Sequence, residues 1–272
     1  MTKPTTPLEI GLPVFERVAS SNWRLRTEAW HQAATRATDW IVHPKHIPKA
    51  ALFKRGPRRL VFRLDSVHPE HPAVMVKAFP LNTLRHRWRH KKYGQAETIN
   101  LLIAEQRGLP VPRVFAHGWR RQWGLVCWNT LVMEFIDGRP LKEHLTQASG
   151  STNRELLWRV LPLFEQVYQT GCNHIDLGPH AILLGQSTQR DRLIDFQYCR
   201  FLDAPAPATF AAQAGYFGWC LTTHWNLVPR ELVLEWFQAI LGRLSLENRS
   251  GLENIFQQHL VHKASIRERL EN

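Results

Sequence analysis

The 272-residue chain carries 35 Lys/Arg against 23 Asp/Glu, a formal net charge of +12, and 44% of its residues are hydrophobic. This is the composition of a globular chain, and it excludes disorder, collagen or coiled coil as descriptions of the whole. The length allows one large domain or two small ones, either able to bury a core without disulfide staples.

The charge is unevenly divided. Residues 1–130 hold 22 Lys/Arg and 8 Asp/Glu, whereas residues 131–272 hold 13 and 15. A basic half of this kind calls for an anionic partner: nucleic acid, a phosphorylated substrate or an acidic membrane face. Cys127, Cys172, Cys199 and Cys220 form no CxxC pair, which argues against a zinc ribbon. Residues 1–13 lack the apolar run of a signal peptide, and no stretch is apolar enough to span a bilayer. These features predict a cytoplasmic protein with reduced, buried thiols.

In chain order, residues 1–50 mix helix formers with Trp23, Trp30 and Trp40 and read as a helical appendage. Ala51 to Phe53, Arg59 to Leu64 and Ala73 to Phe79 read as three short strands, with turns at Gly56-Pro57 and at His68-Pro69 to Pro72. Leu84 to Arg107 is predicted as one helix, closed by Gly108 with Pro110 beyond. Strands follow at Val114 to His117, Leu125 to Trp128 and Thr130 to Phe135. A long helix is predicted over Glu155 to Thr170, short apolar runs at Ala181 to Leu184 and Leu193 to Phe196, and helices over 210–224, 230–244 and 251–269. A β-rich unit at 51–138 thus precedes a helical one at 139–272, the runner-up being a single α+β domain.

Four ionisable residues stand at the ends of apolar elements. Lys77 lies inside Val74-Met75-Val76-Lys77-Ala78-Phe79, where it must reach solvent or meet an anion. Glu97 lies 20 residues later, in the predicted helix. Asp176 lies in His174-Ile175-Asp176-Leu177, and Asp195 in Leu193-Ile194-Asp195-Phe196. Taken one at a time they read as an edge lysine, a surface glutamate, a turn initiator and a strand cap. Their order and spacing say more than any one of them.

Together these residues resemble the protein-kinase-like superfamily. His174-Ile175-Asp176-Leu177-Gly178-Pro179-His180-Ala181-Ile182-Leu183-Leu184 looks like a catalytic loop, Leu193-Ile194-Asp195-Phe196-Gln197 like a metal-binding segment, and Val132 to Gly138 like the hinge between lobes. Within the superfamily, Arg85-His86-Arg87-Trp88-Arg89-His90-Lys91-Lys92 leading to Glu97, and Glu105 to Val114, resemble the bacterial lipopolysaccharide core kinases that act on Kdo and heptose.

The resemblance implies an α+β, protein-kinase-like bilobal fold with a β-rich N-lobe and a helical C-lobe. It implies ATP and Mg²⁺ as cofactors, Lys77, Glu97, Glu134 and the Lys54-Arg55-Gly56 turn at the nucleotide, Asp195 on the metal, and Asp176 as the base for a sugar hydroxyl. His174 is expected to be structural, its ring bonded to nearby backbone. Arg85, Arg87, Arg89, Lys91 and Lys92 are expected to face the anionic glycolipid of the lipopolysaccharide core, with peripheral contact at the cytoplasmic face of the inner membrane. Nucleic acid is disfavoured, since no single-strand stacking motif is present.

Two departures stand out. Ala181 occupies the position where the superfamily pattern places a metal-binding asparagine, and the adjacent His180 is expected to point elsewhere. The phosphate loop has a single glycine among basic residues. These departures keep a pseudokinase as the alternative, with another small-molecule or RNA-modification-type kinase behind it.

Overall fold

The computed structural model describes residues 16–17, 23–66, 68, 70–186 and 190–261. The first thirteen residues, the middle of the 66–72 turn and the helix tail expected beyond 261 lie outside these. The chain divides into two compact units, one of residues 1–106 and 113–135, the other of residues 107–112 and 136–272.

The first unit is built on seven antiparallel strands: β1 (Glu16–Arg17), β2 (Trp23–Leu25), β3 (Leu52–Arg55), β4 (Leu60–Asp65), β5 (Ala73–Pro80), β6 (Val114–Gln122) and β7 (Leu125–Glu134), in the order β1-β2-β6-β7-β5-β4-β3. Because side chains alternate across a strand, β5 sends Val74, Val76 and Ala78 to one face and Met75, Lys77 and Phe79 to the other. The first set is fully buried with Phe62, Leu64, Ala116 and Val132. Against it packs helix α1 (His31–Val42), through Ala33, Ala34, Ala37 and Ile41.

Trp30, just before α1, stacks on Phe115 at 3.9 Å between ring centroids. The segment expected as a helical appendage therefore supplies two of the sheet's strands, β1 and β2, and part of its core. Sequence periodicity identifies a helix here but not the surface that receives it.

The opposite face carries Lys77, Leu131, His117 and Arg24 in one cross-strand row, each opposite the next on β5, β7, β6 and β2. The single helix expected over Leu84 to Arg107 is interrupted. It comprises α2 (Leu84–Trp88), a 3₁₀ turn at His90–Lys92 and α3 (Gln95–Gln106). The break is at Gly94, whose φ of +70° lies in the left-handed region; a Cβ there would stand 2.7 Å from Phe79 Cδ2 and 2.9 Å from Asn129 Cβ.

Asn129 holds the same turn from below, its Nδ2 donating to the carbonyls of His90 (2.7 Å) and Tyr93 (2.5 Å). Gly108 closes α3 with φ +81°, as expected of a C-cap glycine. The two strands expected at Leu125 to Phe135 are one, because backbone pairing with β5 and β6 runs on through Asn129.

The second unit contains α4 (Leu141–Gln147), α5 (Ser151–Arg159), α6 (Leu161–Gln169), α7 (Pro207–Trp219), α8 (Arg230–Leu244) and α9 (Arg249–Val261). The helix expected over Glu155 to Thr170 breaks at Val160, since Pro162 in the first turn of α6 lacks the N–H that would continue the ladder. Phe164, Phe217, Trp236, Phe237 and Phe256 fill the core, with Phe164 edge-on to Trp236 and Phe237 stacked on Phe256.

Two small sheets complete the unit. One joins β8 (Gly138–Pro140), β10 (Ile182–Gly185) and β11 (Arg192–Leu193); the other joins β9 (Cys172–His174) and β12 (Cys199–Phe201). Gly138 is required where β8 meets β10, because any Cβ there would collide with the Leu184 carbonyl.

Gly94→Ala should lower unfolding stability by about 2–4 kcal/mol, combining left-handed strain with overpacking against Phe79. Urea unfolding checks this; a loss under 1 kcal/mol would show that the turn before α3 is soft.

Candidate active site

Lys77 occupies the middle of β5, flanked by Val61 on β4 and Leu131 on β7, and is 7% exposed. Its Nζ donates to Glu97 Oε1 at 2.6 Å, and Glu97 is fully buried on the first turn of α3. The structure thus brings together two residues that the superfamily resemblance had linked. A buried pair stabilises little in net terms, because desolvating two ions offsets most of their attraction. Its persistence in an apolar sheet therefore points to function. Glu97 Oε2 is buried and has no hydrogen-bond partner, so the carboxylate is committed to Lys77 through a single oxygen.

The other expected residues of this unit are spread over its surface. Lys54 and Arg55 end β3 and are exposed, and Gly56 N donates to the Arg59 carbonyl, closing the tip of the β3–β4 hairpin. Glu134 ends β7, half-buried, with Oε2 accepting from Arg113 N at 3.2 Å. Arg85 and Arg89 are exposed on and beside α2, whereas Arg87 turns inward and its Nε donates to the Leu81 carbonyl at 3.0 Å. Lys91 is exposed, and the Lys92 side chain lies outside the described residues. Trp88 and Trp123 are 78% and 88% exposed.

In the second unit, β9 leads directly into Asp176. Ile175 N donates to Tyr198 O, and the loop beyond is tied by Leu177 N to His174 O and Ala181 N to Gly178 O. Ile194 N in turn donates to Ala181 O. His174 is fully buried; its Nε2 bonds Ile194 O at 2.9 Å and its ring stands edge-on to Phe196. It is the structural residue expected, joining the Asp176 loop to the Asp195 segment. Burial lowers its pKa, against the opposing pull of the Ile194 carbonyl, Asp195 and Asp176. The ring is therefore neutral at pH 7, with Nε2–H donating to Ile194 O.

Asp195 has φ +67° and ψ +47°, a left-handed conformation that costs a non-glycine residue roughly 1–3 kcal/mol and recurs at functional sites. Asp176 and Asp195 are both half-buried.

The residue that sequence reasoning missed is His180. It was expected to point away, yet Asp195 and Asp176 both act electrostatically on its ring. Burial nevertheless lowers its pKa, and Lys142, whose Nζ lies 4.3 Å over the Trp225 ring, pushes the same way. The His180 ring is edge-on to Trp225, and its buried Nδ1 has no partner. The only sequence signal was its place four residues after Asp176. Ala181 is fully buried and supplies no ligand atom. Among the described residues, no group of three or more His, Cys, Asp or Glu could hold a metal ion without further ligands. What is present, a carboxylate on a strained backbone with a second carboxylate nearby, fits one hard cation that draws its other ligands from phosphate and water.

A seven-stranded antiparallel sheet with a buried Lys–Glu pair, followed by a helical unit that presents the two aspartates on adjoining loops, is the α+β plan of a protein-kinase-like phosphotransferase. Residues 74–208, close to half of the chain, match the model of the Lipopolysaccharide kinase (Kdo/WaaP) family. The chain is therefore an enzyme of the phosphotransferase class, a kinase acting on lipopolysaccharide.

No curated protein matches the chain in sequence. Among solved structures it is similar to "WaaP in complex with acyl carrier protein", at 14% identity and TM-score 0.45, covering 76% of this chain and 88% of that one. It is also similar to "High resolution (2.2 A) crystal structure of WbdD", at 20% identity and TM-score 0.47, covering 77% of this chain and 50% of that one. No helix among the described residues is long and apolar enough to cross a membrane.

Lys77→Met should destabilise the protein by about 3–5 kcal/mol, because Glu97 is left buried without its cation, and Lys77→Met/Glu97→Leu should recover most of the loss. A double-mutant cycle of urea unfolding reads the coupling; additive losses would mean that the pair is not an interacting unit.

His174 and His180 have pKa values below 6.5 in the folded state, so below pH 6.5 the unfolded chain binds more protons than the native one. Their contribution is whole above pH 6.5 and is lost as pH falls towards the folded values. The urea midpoint should drop from pH 7.5 to 5, less steeply in His180→Gln; identical slopes would deny His180 its share.

Proposed function

We propose that the chain transfers the γ-phosphoryl group of ATP to a sugar hydroxyl of the lipopolysaccharide inner core, on heptose or Kdo, as a peripheral protein at the cytoplasmic face of the inner membrane. The observation that carries this reading is the buried ion pair of Lys77 and Glu97 at 2.6 Å in a sheet that gains little stability from it.

Phosphoryl transfer spreads negative charge over the phosphoryl oxygens, so catalysis is mostly positioning and neutralisation. Lys77 neutralises nucleotide phosphate charge, with Glu97 fixing its Nζ. The Lys54-Arg55-Gly56 tip covers the phosphates with side-chain cations in place of a glycine-rich loop, and the backbone at Glu134 receives the base. Asp195 is the residue that would hold Mg²⁺, which when bound supplies charge neutralisation at the phosphates. Asp176 orients the sugar hydroxyl and accepts its proton. The basic segment Arg85, Arg89, Lys91 and Lys92 faces the acidic glycolipid surface, with Arg87 supporting it through Leu81.

A second reading, a pseudokinase that binds nucleotide without turnover, is favoured by one observation: Ala181 stands where a second metal ligand is expected.

A thermal shift with ATP, with and without Mg²⁺, followed by transfer to purified core oligosaccharide, separates the readings. The wild type should show both binding and transfer. Asp176→Ala should bind ATP and lose transfer by about 10²–10⁴-fold. No ATP shift would sink the kinase reading, ATP binding without transfer would establish the pseudokinase, and undiminished transfer in Asp176→Ala would remove that residue from its role.

A further inference from the structure

On the face of the first unit's sheet that carries Lys77, at its β2–β6–β7 end, lies a cavity of about 180 Å³ of whose lining residues the kinase reading uses only Lys91. Arg24, His90, Lys91, His117 and Arg121 line it, and among the described residues no carboxylate does. Neither Lys77 nor Glu97 belongs to its wall.

Each part is placed by the fold. Arg24 and His117 are direct cross-strand partners on β2 and β6, so both stand on this face. Arg121 follows on β6, next to the register shift that precedes the β6–β7 turn. His90 and Lys91 come from the 3₁₀ turn that Asn129, itself 5% exposed, ties to the sheet through the His90 and Tyr93 carbonyls. Gln95 and Thr98 close the cavity from the first turn of α3, where the helix end favours negative charge.

We infer that this cavity is a binding site for a phosphate group, separate from the nucleotide position. A basic run on an exposed helix is normally a solvated face, but here three chain segments bring cationic side chains to one concavity, and among the described lining residues there is no Asp or Glu. Clefts lined by one sign of charge concentrate counter-ions. The neighbouring cations are felt inside the protein: burial and then Arg24 lower the His117 pKa to about 4, and burial followed by Lys91 and Arg121 lowers that of His90. A water's share of liquid volume is about 30 Å³, so the space takes a group of several heavy atoms. Arg24 and Arg121 offer forked donors suited to phosphate oxygens, and Lys91 a point charge.

The phosphate arrives either free or on a phosphorylated glycolipid. In the second case the inference rests on the proposed kinase reading, and the cavity holds a phosphate already present on the acceptor.

Calorimetric titration of the full chain at fixed low salt, without nucleotide, tests the site with two probes, inorganic phosphate and phosphorylated core oligosaccharide. Arg24→Ala/Arg121→Ala should weaken phosphate binding at least tenfold. Arg85→Ala/Arg89→Ala, which removes the same charge from exposed positions outside the cavity lining, should change it less than threefold, and so should Lys77→Met/Glu97→Leu. The His117 imidazole, followed by NMR, should titrate above its phosphate-free midpoint when phosphate is bound.

Absence of phosphate binding, equal weakening by the two arginine pairs, or loss in the Lys77/Glu97 variant would overturn the site. Oligosaccharide binding at least tenfold tighter than inorganic phosphate assigns the glycolipid source, and equal affinity assigns free phosphate. Phosphate binding retained in a chain that transfers nothing would leave this site standing while the kinase reading falls.

Discussion

The burial of one lysine organises the first unit. Lys77 sits on an inner strand of a seven-stranded sheet, between Val61 and Leu131, where little water reaches it. An ammonium group in such a place must lose its charge or find a carboxylate. Glu97 answers it, so α3 must present its first turn to β5. That turn can only approach because Gly94 lacks a Cβ and because Asn129 draws the preceding carbonyls down to the sheet. The break between α2 and α3 falls at Gly94, where the turn closes on Phe79 and Asn129 ahead of Glu97.

The second unit meets a comparable constraint in another way. His174 is fully buried and neutral, and one bond from its Nε2 to Ile194 O joins two loops that bear carboxylates. The strands β9 and β12 pair beside it, with Cys199 opposite His174, so the loops have a rigid base. Asp195 is left in a left-handed conformation that the surrounding structure over-determines. Its neighbour Ala181 contributes packing and a backbone bond to Ile194 but no ligand, while His180 lies under the influence of both carboxylates.

The basic charge of the first 130 residues is not one surface. Arg87 is spent inside, capping Leu81; Arg26 pairs with Glu105; Arg24, Lys91 and Arg121 converge on a cavity; Arg85 and Arg89 stay in solvent. Net charge alone indicated an anionic partner, and the fold divides that affinity into positions of different consequence.

Several features were legible in the chain as written. Alternation in Val74 to Phe79 marked a buried strand with a misplaced lysine, Gly108 with Pro110 marked the end of α3, and Arg230 to Leu244 marked a helix that the structure reproduces. The order Lys77, Glu97, Asp176, Asp195 pointed to the superfamily, because local pattern and spacing are properties of sequence.

Other features depend on contacts between residues far apart in the chain. The destination of α1 was not visible, since periodicity shows an apolar stripe and not the surface that receives it. The unity of β7 through Asn129 came from pairing with β5 and β6. The break at Gly94 came from Phe79 and Asn129, and the edge-on packing of His180 against Trp225 came from contact between distant segments. The meeting of Arg24 with Lys91 and Arg121 likewise required β2 to pair with β6, a register that neither strand specifies alone. Sequence determined which groups the protein owns and where its elements begin; tertiary structure decided which of them meet, because burial and pairing are settled between segments and not within them.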